Sequence, residues 1–331
     1  MSTTSTLHET ARLMVLAPKV ILAADESTGT MGDRLKSVGL ENTLGNREAF
    51  RRLIFSAPVG EYIAATILYE ETLENPELVG LLLARGIIPG IKIDKGLADY
   101  GTNGEKIIKG FGALELKNRL ALYAKQGARF TKFRSLFSIT VDDNQLPTRE
   151  CILINAFAQA EFARLSQAQG LVPIVEPEID FKGAHSIDVC EYVAFEVLRA
   201  VFDQLERAEV DLDGMILKPS MVTSGQSAEN RAHPNEVAER TLRVILDIVS
   251  SEVPGIAFLS GGQTDDEADA NLAAISRHAR EQMAPHRFAA SFGRGLQRRA
   301  LEVWGGKPEN YVAAQEAFRE KCRQTSQASV A

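Results

Sequence analysis

The chain has 331 residues, 45% apolar and 24% charged, which is an ordinary globular balance with ample length for a large core. Its net charge of -7 speaks against a broad nucleic-acid-binding surface, so an anionic substrate would need lysines and arginines gathered locally. No uncharged apolar run reaches transmembrane length, and Cys151, Cys190 and Cys322 are isolated, with no CxxC pair; neither a membrane partner nor a disulfide framework is expected, and a reducing, cytoplasmic setting is.

Residues 1–16 are Ser/Thr-rich and lack a basic segment followed by an apolar one, so they read as a short lead-in rather than a signal peptide. Beyond them, short apolar runs recur at 20–24, 62–68, 88–92, 129–133, 172–176, 215–218, 256–260 and 288–292. Such continuous runs fit strands buried on both faces of a parallel sheet. The stretches between them are long enough for helices. Residues 149–169, 188–208 and 234–249 have helical apolar spacing, and Thr264 to Glu267 form a capping-box pattern ahead of another helix. Eight runs alternating with helices predict an α/β fold, a single-domain (β/α)8 TIM barrel covering residues 1–331. A doubly wound sheet binding a nucleotide would need a glycine-rich first turn, and neither GxGxxG nor GxxxxGK[ST] occurs. Residues 308–324 read as a last helix and the polar residues 325–331 as a short flexible tail.

Several runs end in a charged or hydroxyl residue. Asp25, Lys92, Lys132 with Arg134, Glu176 with Glu178, Lys218, Ser260 and Arg294 all fall at or just past the C-terminal end of a run, where a barrel of this kind carries its active site. Residues two apart on a strand face the same way, so Lys132 and Arg134 point together, as do Glu176 and Glu178. Any one of these charges could simply pair across the rim, but a charge closing so many separate strands has no packing purpose.

The residue types define a chemistry. Lys218 closes the run Met215-Ile216-Leu217, where burial lowers an amine's pKa and makes it nucleophilic toward carbonyl carbon. A second lysine, Lys132, would lower it further. Glu176 is placed to shuttle protons as a carbinolamine becomes an iminium, and Asp25 to hold or deprotonate a substrate hydroxyl. Glycines beside Ser260 and Arg294, at Gly261, Gly262, Gly293 and Gly295, allow backbone N–H groups to approach a phosphate. Ser27, Thr30 and Lys92 could hold a second phosphate. The sequence LSGGQ at 259–263 is the signature of ABC-type ATPases, but the Walker A loop it requires is absent. His8, His185, His233, His278 and His286 show no metal-ligand spacing.

These segments together resemble class I fructose-bisphosphate aldolase. The matching stretches are ILAADESTGT at 21–30, GLENT at 39–43, GIKIDKG at 90–96, GTNGE at 101–105, TKFR at 131–134, VPIVEPEI at 172–179, LKPSMVTSG at 217–225, FLSGGQ at 258–263, SFGR at 291–294 and WGGK at 304–307. The resemblance runs from about residue 7 to about residue 320. It implies a metal-independent lyase without cofactor that cleaves fructose 1,6-bisphosphate reversibly to dihydroxyacetone phosphate and glyceraldehyde 3-phosphate, in glycolysis or gluconeogenesis. By this resemblance Lys218 is the Schiff-base lysine, Lys132 assists carbinolamine formation, Glu176 is the general acid/base, Glu178 orients the lysines, and Asp25 lies beside the nucleophile and the C4 hydroxyl. Ser260, Gly261, Gly293 and Arg294 match the 1-phosphate site. Ser27, Thr30, Lys92 and Arg134 match the 6-phosphate end. Members are commonly homotetramers.

Some positions depart from the family pattern. Asp33 stands where many animal members have lysine, Phe133 and Phe292 replace a tryptophan and a tyrosine, and the segment between Gly104 and Lys132 differs in length. Animal members end in a tyrosine that assists proton exchange on the enamine, whereas this chain ends Ser329-Val330-Ala331 and its last tyrosine is Tyr311. Removal of residues 325–331 is therefore expected to cost little activity. The alternatives are a Schiff-base aldolase preferring another phosphorylated ketose, such as sedoheptulose 1,7-bisphosphate, and a non-catalytic scaffold, which the presence of Lys218, Glu176 and Asp25 disfavours.

Overall fold

The apolar runs become strands because both of their faces are covered. The computed structural model describes residues 3–110, 112–140 and 146–331. Its strands are β1 (Val20–Ala24), β2 (Ile63–Leu68), β3 (Ile88–Lys92), β4 (Leu97–Tyr100), β5 (Glu105–Ile108), β6 (Phe130–Phe137), β7 (Val172–Ile179), β8 (Ile216–Leu217), β9 (Gly255–Phe258) and β10 (Arg287–Phe292). All but β4 and β5 form a closed barrel in which each strand pairs in parallel with the next and β10 returns to β1. This is the (β/α)8 TIM barrel that the alternation predicts, and closure leaves no sheet edge exposed.

Two cores hold it. Alternate residues of the strands, among them Ile21, Ala65, Phe130, Ile174, Ile216 and Ala257, fill the barrel interior. The opposite faces, including Leu22, Phe133, Val175 and Leu217, pack against the surrounding helices. The lead-in forms a helix, Thr3–Met14, whose Leu7, Ala11 and Met14, with Val15 beyond it, belong to the interior cluster. It closes the barrel at the end where the strands begin. Val15 packs against Gly255 at the start of β9, and His8 Nε2 lies 2.7 Å from Asp211 Oδ2 in the turn ahead of β8. Burying Leu7 and Met14 there stabilises the fold by roughly 2 kcal/mol each. Met1 and Ser2 lie outside the described residues.

The observed helices Arg149–Gln167, Ile187–Arg207 and Pro234–Ile248 lie within a residue or two of their expected bounds. The Thr264 capping box forms in both directions ahead of Asp265–Glu281. Three features differ from the sequence reading. β6 and β7 run to residues 137 and 179, longer than the apolar runs, because their last turns carry the polar residues of the barrel mouth. Between Lys92 and Lys132 the chain forms the antiparallel hairpin β4–β5 and the helix Ala113–Lys125; residue 111 lies outside the described residues. Buried Glu105, on β5, accepts from Thr148 N at 2.6 Å, and Thr148 caps the helix Arg149–Gln167, so the hairpin is fastened to the barrel.

The third difference corrects the flexible tail. The last helix runs Tyr311–Ala328, and Thr325, Ser326, Ala328 and Ser329 are buried. Thr325 Oγ1 donates to Asp269 Oδ1 at 2.8 Å and Ser329 Oγ to the Pro18 carbonyl at 3.1 Å. Small hydroxyl side chains allow this close docking while reading as solvated in composition. Pro18 precedes β1, so the last residues lie at the end of the barrel where its strands begin, away from the strand C-termini. Deleting residues 325–331 should therefore lower stability by about 2 kcal/mol or more through the lost buried hydrogen bonds, while kcat of the folded protein at 25 °C stays near that of the full chain. Urea unfolding and steady-state rates check this; a collapse of kcat with the fold intact would place the tail in the chemistry.

Candidate active site

β1, β3, β6, β7 and β8 end on one rim, and their last side chains meet there. Glu176, on β7, puts one carboxylate oxygen 2.8 Å from Lys132 Nζ and the other 3.1 Å from Lys218 Nζ. Lys132 Nζ also donates to Asp25 Oδ2 at 3.0 Å. The result is a chain Asp25–Lys132–Glu176–Lys218 joining the ends of four strands. Glu176 and Lys218 are each 3% exposed and Lys132 5%, so these charges lie out of water and depend on one another. Glu178, two residues beyond Glu176 and so on the same face of β7, pairs with Arg134 at 3.1 Å. Lys218 is set by the barrel itself: its backbone N–H donates to the Val175 carbonyl at 2.8 Å, and Pro219 accepts from Leu259 N at 3.1 Å.

The electrostatics favour a nucleophilic amine. Burial lowers Lys218 to about 8, with Asp25 and Glu178 opposing the shift and Arg134 adding to it. Lys132 also falls to about 8, again through burial first, with Asp25 opposing and Lys218 adding. Sequence reasoning gave a second lysine as a further cause for Lys218. In the structure burial leads there, Arg134 is the cation that adds to it, and the lysine-on-lysine effect shows on Lys132. For Asp25, burial works to raise the carboxyl, but Lys132, Lys218 and Lys92 outweigh it and hold the group well below the usual carboxylate range. Asp25 is thus an anion at any working pH.

The remaining site candidates lie on the same end of the barrel. Lys92 Nζ is 3.5 Å from Asp94 Oδ1. Ser27 caps the helix Thr28–Ser37, accepting from Thr30 N at 3.3 Å, and its hydroxyl lies 3.1 Å from that of Thr30. The Ser27 hydroxyl is therefore the helix cap, and the Thr30 hydroxyl is bonded to it. Ser260, Gly261 and Gly262 form the loop after β9. Gly262 has φ +70°, and a Cβ there would lie 2.0 Å from the Phe181 ring, so only glycine fits. Arg294 opens the helix Arg294–Trp304 and donates to the Gln263 carbonyl at 3.3 Å, which joins the loop after β9 to a helix N-terminus of the kind that binds anions. Phe133 and Phe292 are fully buried, and Phe133 stacks on Phe162 at 4.9 Å, so both serve packing. Asp33 is exposed on the helix Thr28–Ser37.

Two buried carboxylates at the barrel mouth escape the sequence pattern. Asp94 accepts from Arg134 N at 3.3 Å and Gly96 N at 3.0 Å, tying the end of β3 to β6. Glu26, adjacent to Asp25, pairs with Arg34 and Arg51. Asp94 lies two residues beyond Lys92, a spacing that was available as a signal; the partners of Glu26 are not local in sequence.

A closed barrel with two buried lysines sharing one carboxylate has the parts a Schiff-base-forming enzyme of the aldolase kind needs. The family model for class-I fructose-bisphosphate aldolase matches residues 6–331. The chain is 44% identical to a chloroplastic fructose-bisphosphate aldolase 2 of Pisum sativum, over 97% of this chain and 92% of that one. It is 43% identical to fructose-bisphosphate aldolase B of Ovis aries, over 98% and 89%. A solved structure of fructose-bisphosphate aldolase from Plasmodium falciparum superposes with a TM-score of 0.95 at 39% identity, covering 99% of this chain and 95% of that one. The chain belongs to the class-I fructose-bisphosphate aldolase family.

The lowered amines have a direct consequence. With a pKa of about 8, roughly one Lys218 amine in four is neutral at pH 7.5, against about one in a thousand at the ordinary lysine value. The rate of Lys218 modification by cyanate, followed by peptide mass mapping, should rise with pH to a midpoint about two units below that of exposed lysines. A midpoint shared with the surface lysines would contradict the burial argument.

Proposed function

We propose that this chain cleaves fructose 1,6-bisphosphate by way of an iminium on Lys218, and that the shared Glu176 carboxylate is the feature on which the reaction turns. The neutral Lys218 amine attacks the C2 carbonyl carbon to give a carbinolamine. Glu176, 3.1 Å from that nitrogen, takes the proton the nitrogen sheds as the carbinolamine forms and gives it to the departing hydroxyl, and water leaves. Asp25 takes the proton of the C4 hydroxyl. The C3–C4 bond then breaks, with its electron pair moving to the iminium nitrogen. Glyceraldehyde 3-phosphate leaves, and the enamine, once protonated at C3 and hydrolysed, releases dihydroxyacetone phosphate. Lys132 stands between Asp25 and Glu176 and keeps both carboxylates in reach, and Glu178 holds Arg134. The electron sink is the iminium, so the reading calls for no metal and no cofactor.

In this reading the 1-phosphate sits on Ser260, Gly261, Gly293 and Arg294, where a glycine loop meets a helix N-terminus. The 6-phosphate end is assigned to Ser27, Thr30, Lys92 and Arg134. Beyond the site, the reading is of a cytoplasmic homotetramer. Free, buried cysteines suit a reducing compartment, and exposed Leu114, Tyr192 and Val312 offer apolar contact surface. Among the described residues, no helix is long and apolar enough to cross a membrane. Light scattering of the purified protein checks the assembly.

The kinetic test is cleavage of fructose 1,6-bisphosphate in the presence of chelator. Lys218→Ala should abolish it, and Glu176→Gln should lower kcat by about 100- to 10,000-fold, the span of general acid–base catalysis. Full activity in Lys218→Ala would overturn the reading. Arg294→Ala should raise KM by roughly 10- to 100-fold, the worth of charge-assisted hydrogen bonds, with a smaller change in kcat. An unchanged KM with lost turnover would remove Arg294 from phosphate binding.

A further inference from the structure

Glu26 is a carboxylate the reaction above does not use. It directly follows Asp25, its side chain is 5% exposed, and it sits at the centre of a four-element junction. One carboxylate oxygen pairs with Arg34 on the helix Thr28–Ser37 and accepts from Gln297 Nε2 at 2.8 Å. The other pairs with Arg51 on the helix Leu44–Ser56. Arg51 also donates to Gln297 Oε1 at 2.9 Å, so the carboxylate, guanidinium and amide close a ring of bonds. Arg51 and Gln297 are buried. Burial alone would raise the Glu26 carboxyl, but Arg51 and Arg34 outweigh it and keep the group below its ordinary value, so the junction is held by charge.

Gln297 carries the junction into the phosphate region. Its Nε2 also reaches the Ala23 carbonyl on β1, at 2.8 Å, and the Gly293 carbonyl, at 3.3 Å. Gly293 faces β1 closely: a Cβ added to it would lie 3.1 Å from the Ala23 oxygen. Beyond the last β1–β10 ladder pair, Leu22 with Phe292, this one side chain bridges the end of β1, which bears Asp25, to the turn that opens the helix Arg294–Trp304. Surface salt bridges add little to a fold, but a buried, fully bonded network of this kind sets geometry.

Resting on the aldolase reading, we infer that Glu26, acting through Arg51 and Gln297, is a positioning residue that registers the Gly293–Arg294 anion-binding turn against Asp25 and the lysines. Its role is to place substrate phosphate so that the carbonyl carbon lies over Lys218. A displaced turn spoils substrates that carry that phosphate and leaves amine chemistry on unphosphorylated ketones untouched.

The test is borohydride trapping, read as adduct per protomer by intact mass, with dihydroxyacetone phosphate and with unphosphorylated dihydroxyacetone. Glu26→Gln removes the charge from the hub. Gln297→Met breaks the bonds to Gly293 and Ala23 while leaving the arginine–carboxylate pairs, and serves if Glu26→Gln fails to fold. The expected result is a loss of 10-fold or more in trapping rate with dihydroxyacetone phosphate, and a rate with dihydroxyacetone within 2-fold of the unaltered protein. Equal trapping of the phosphate by variant and unaltered protein would overturn the inference, as would parallel loss with both ketones, the mark of a purely structural role. If the unaltered protein forms no adduct with dihydroxyacetone phosphate, the aldolase reading fails, and the inference with it.

Discussion

The site depends on one carboxylate shared between two buried ammoniums. Glu176 lies 2.8 Å from Lys132 and 3.1 Å from Lys218 and is only 3% exposed. Removing either lysine's partner would leave an uncompensated charge in a low-dielectric place, at a cost of several kcal/mol. The barrel bears that constraint because eight strands bring their ends to one rim. No local segment could gather Asp25, Lys132, Glu176 and Lys218, which are spread over nearly two hundred residues. The same burial that makes these charges costly keeps the Lys218 amine near the protonation balance a nucleophile needs.

The two ends of the barrel divide the work. At the end where the strands begin, the helix Thr3–Met14 closes the interior and the last residues of the chain dock beside Pro18. At the other end the loops after β9 and β10 are joined by Arg294 and Gln263, and the loops after β7 and β8 by Gln226 N to the Phe181 carbonyl at 2.8 Å. The mouth is lined by groups held through hydrogen bonds to neighbouring strands, and the opposite end carries packing, the division expected of the architecture.

Much of this was legible in the chain. The barrel strands announced themselves because parallel strands buried on both faces leave continuous apolar runs, and the mouth residues because charges at the ends of such runs lack a packing reason. The parts that were not legible share a cause. The apolar runs stop at residues 133 and 176, so the extension of β6 and β7 to residues 137 and 179 did not show, although Arg134 and Glu178 were expected at the mouth and pair there. Glu26 looks like a solvated acid until Arg51 and Gln297 arrive from 25 and 271 residues away. The hairpin β4–β5 is only four residues a side, too short to stand out as a strand pair, and its place is set by Glu105 reaching Thr148. The final turn of the last helix uses Thr325 and Ser326 as its buried face, so composition suggested a tail where there is a docked helix.

The most direct measurement is the position of the covalent adduct. The unaltered protein, reduced with borohydride during turnover of fructose 1,6-bisphosphate and digested for peptide mass mapping, should carry the reduced substrate fragment on Lys218, with Lys132 unmodified. An adduct on Lys132, or a folded and catalytically active protein with no adduct on either lysine, would contradict the account of Glu176 as the carboxylate that serves a Lys218 nucleophile.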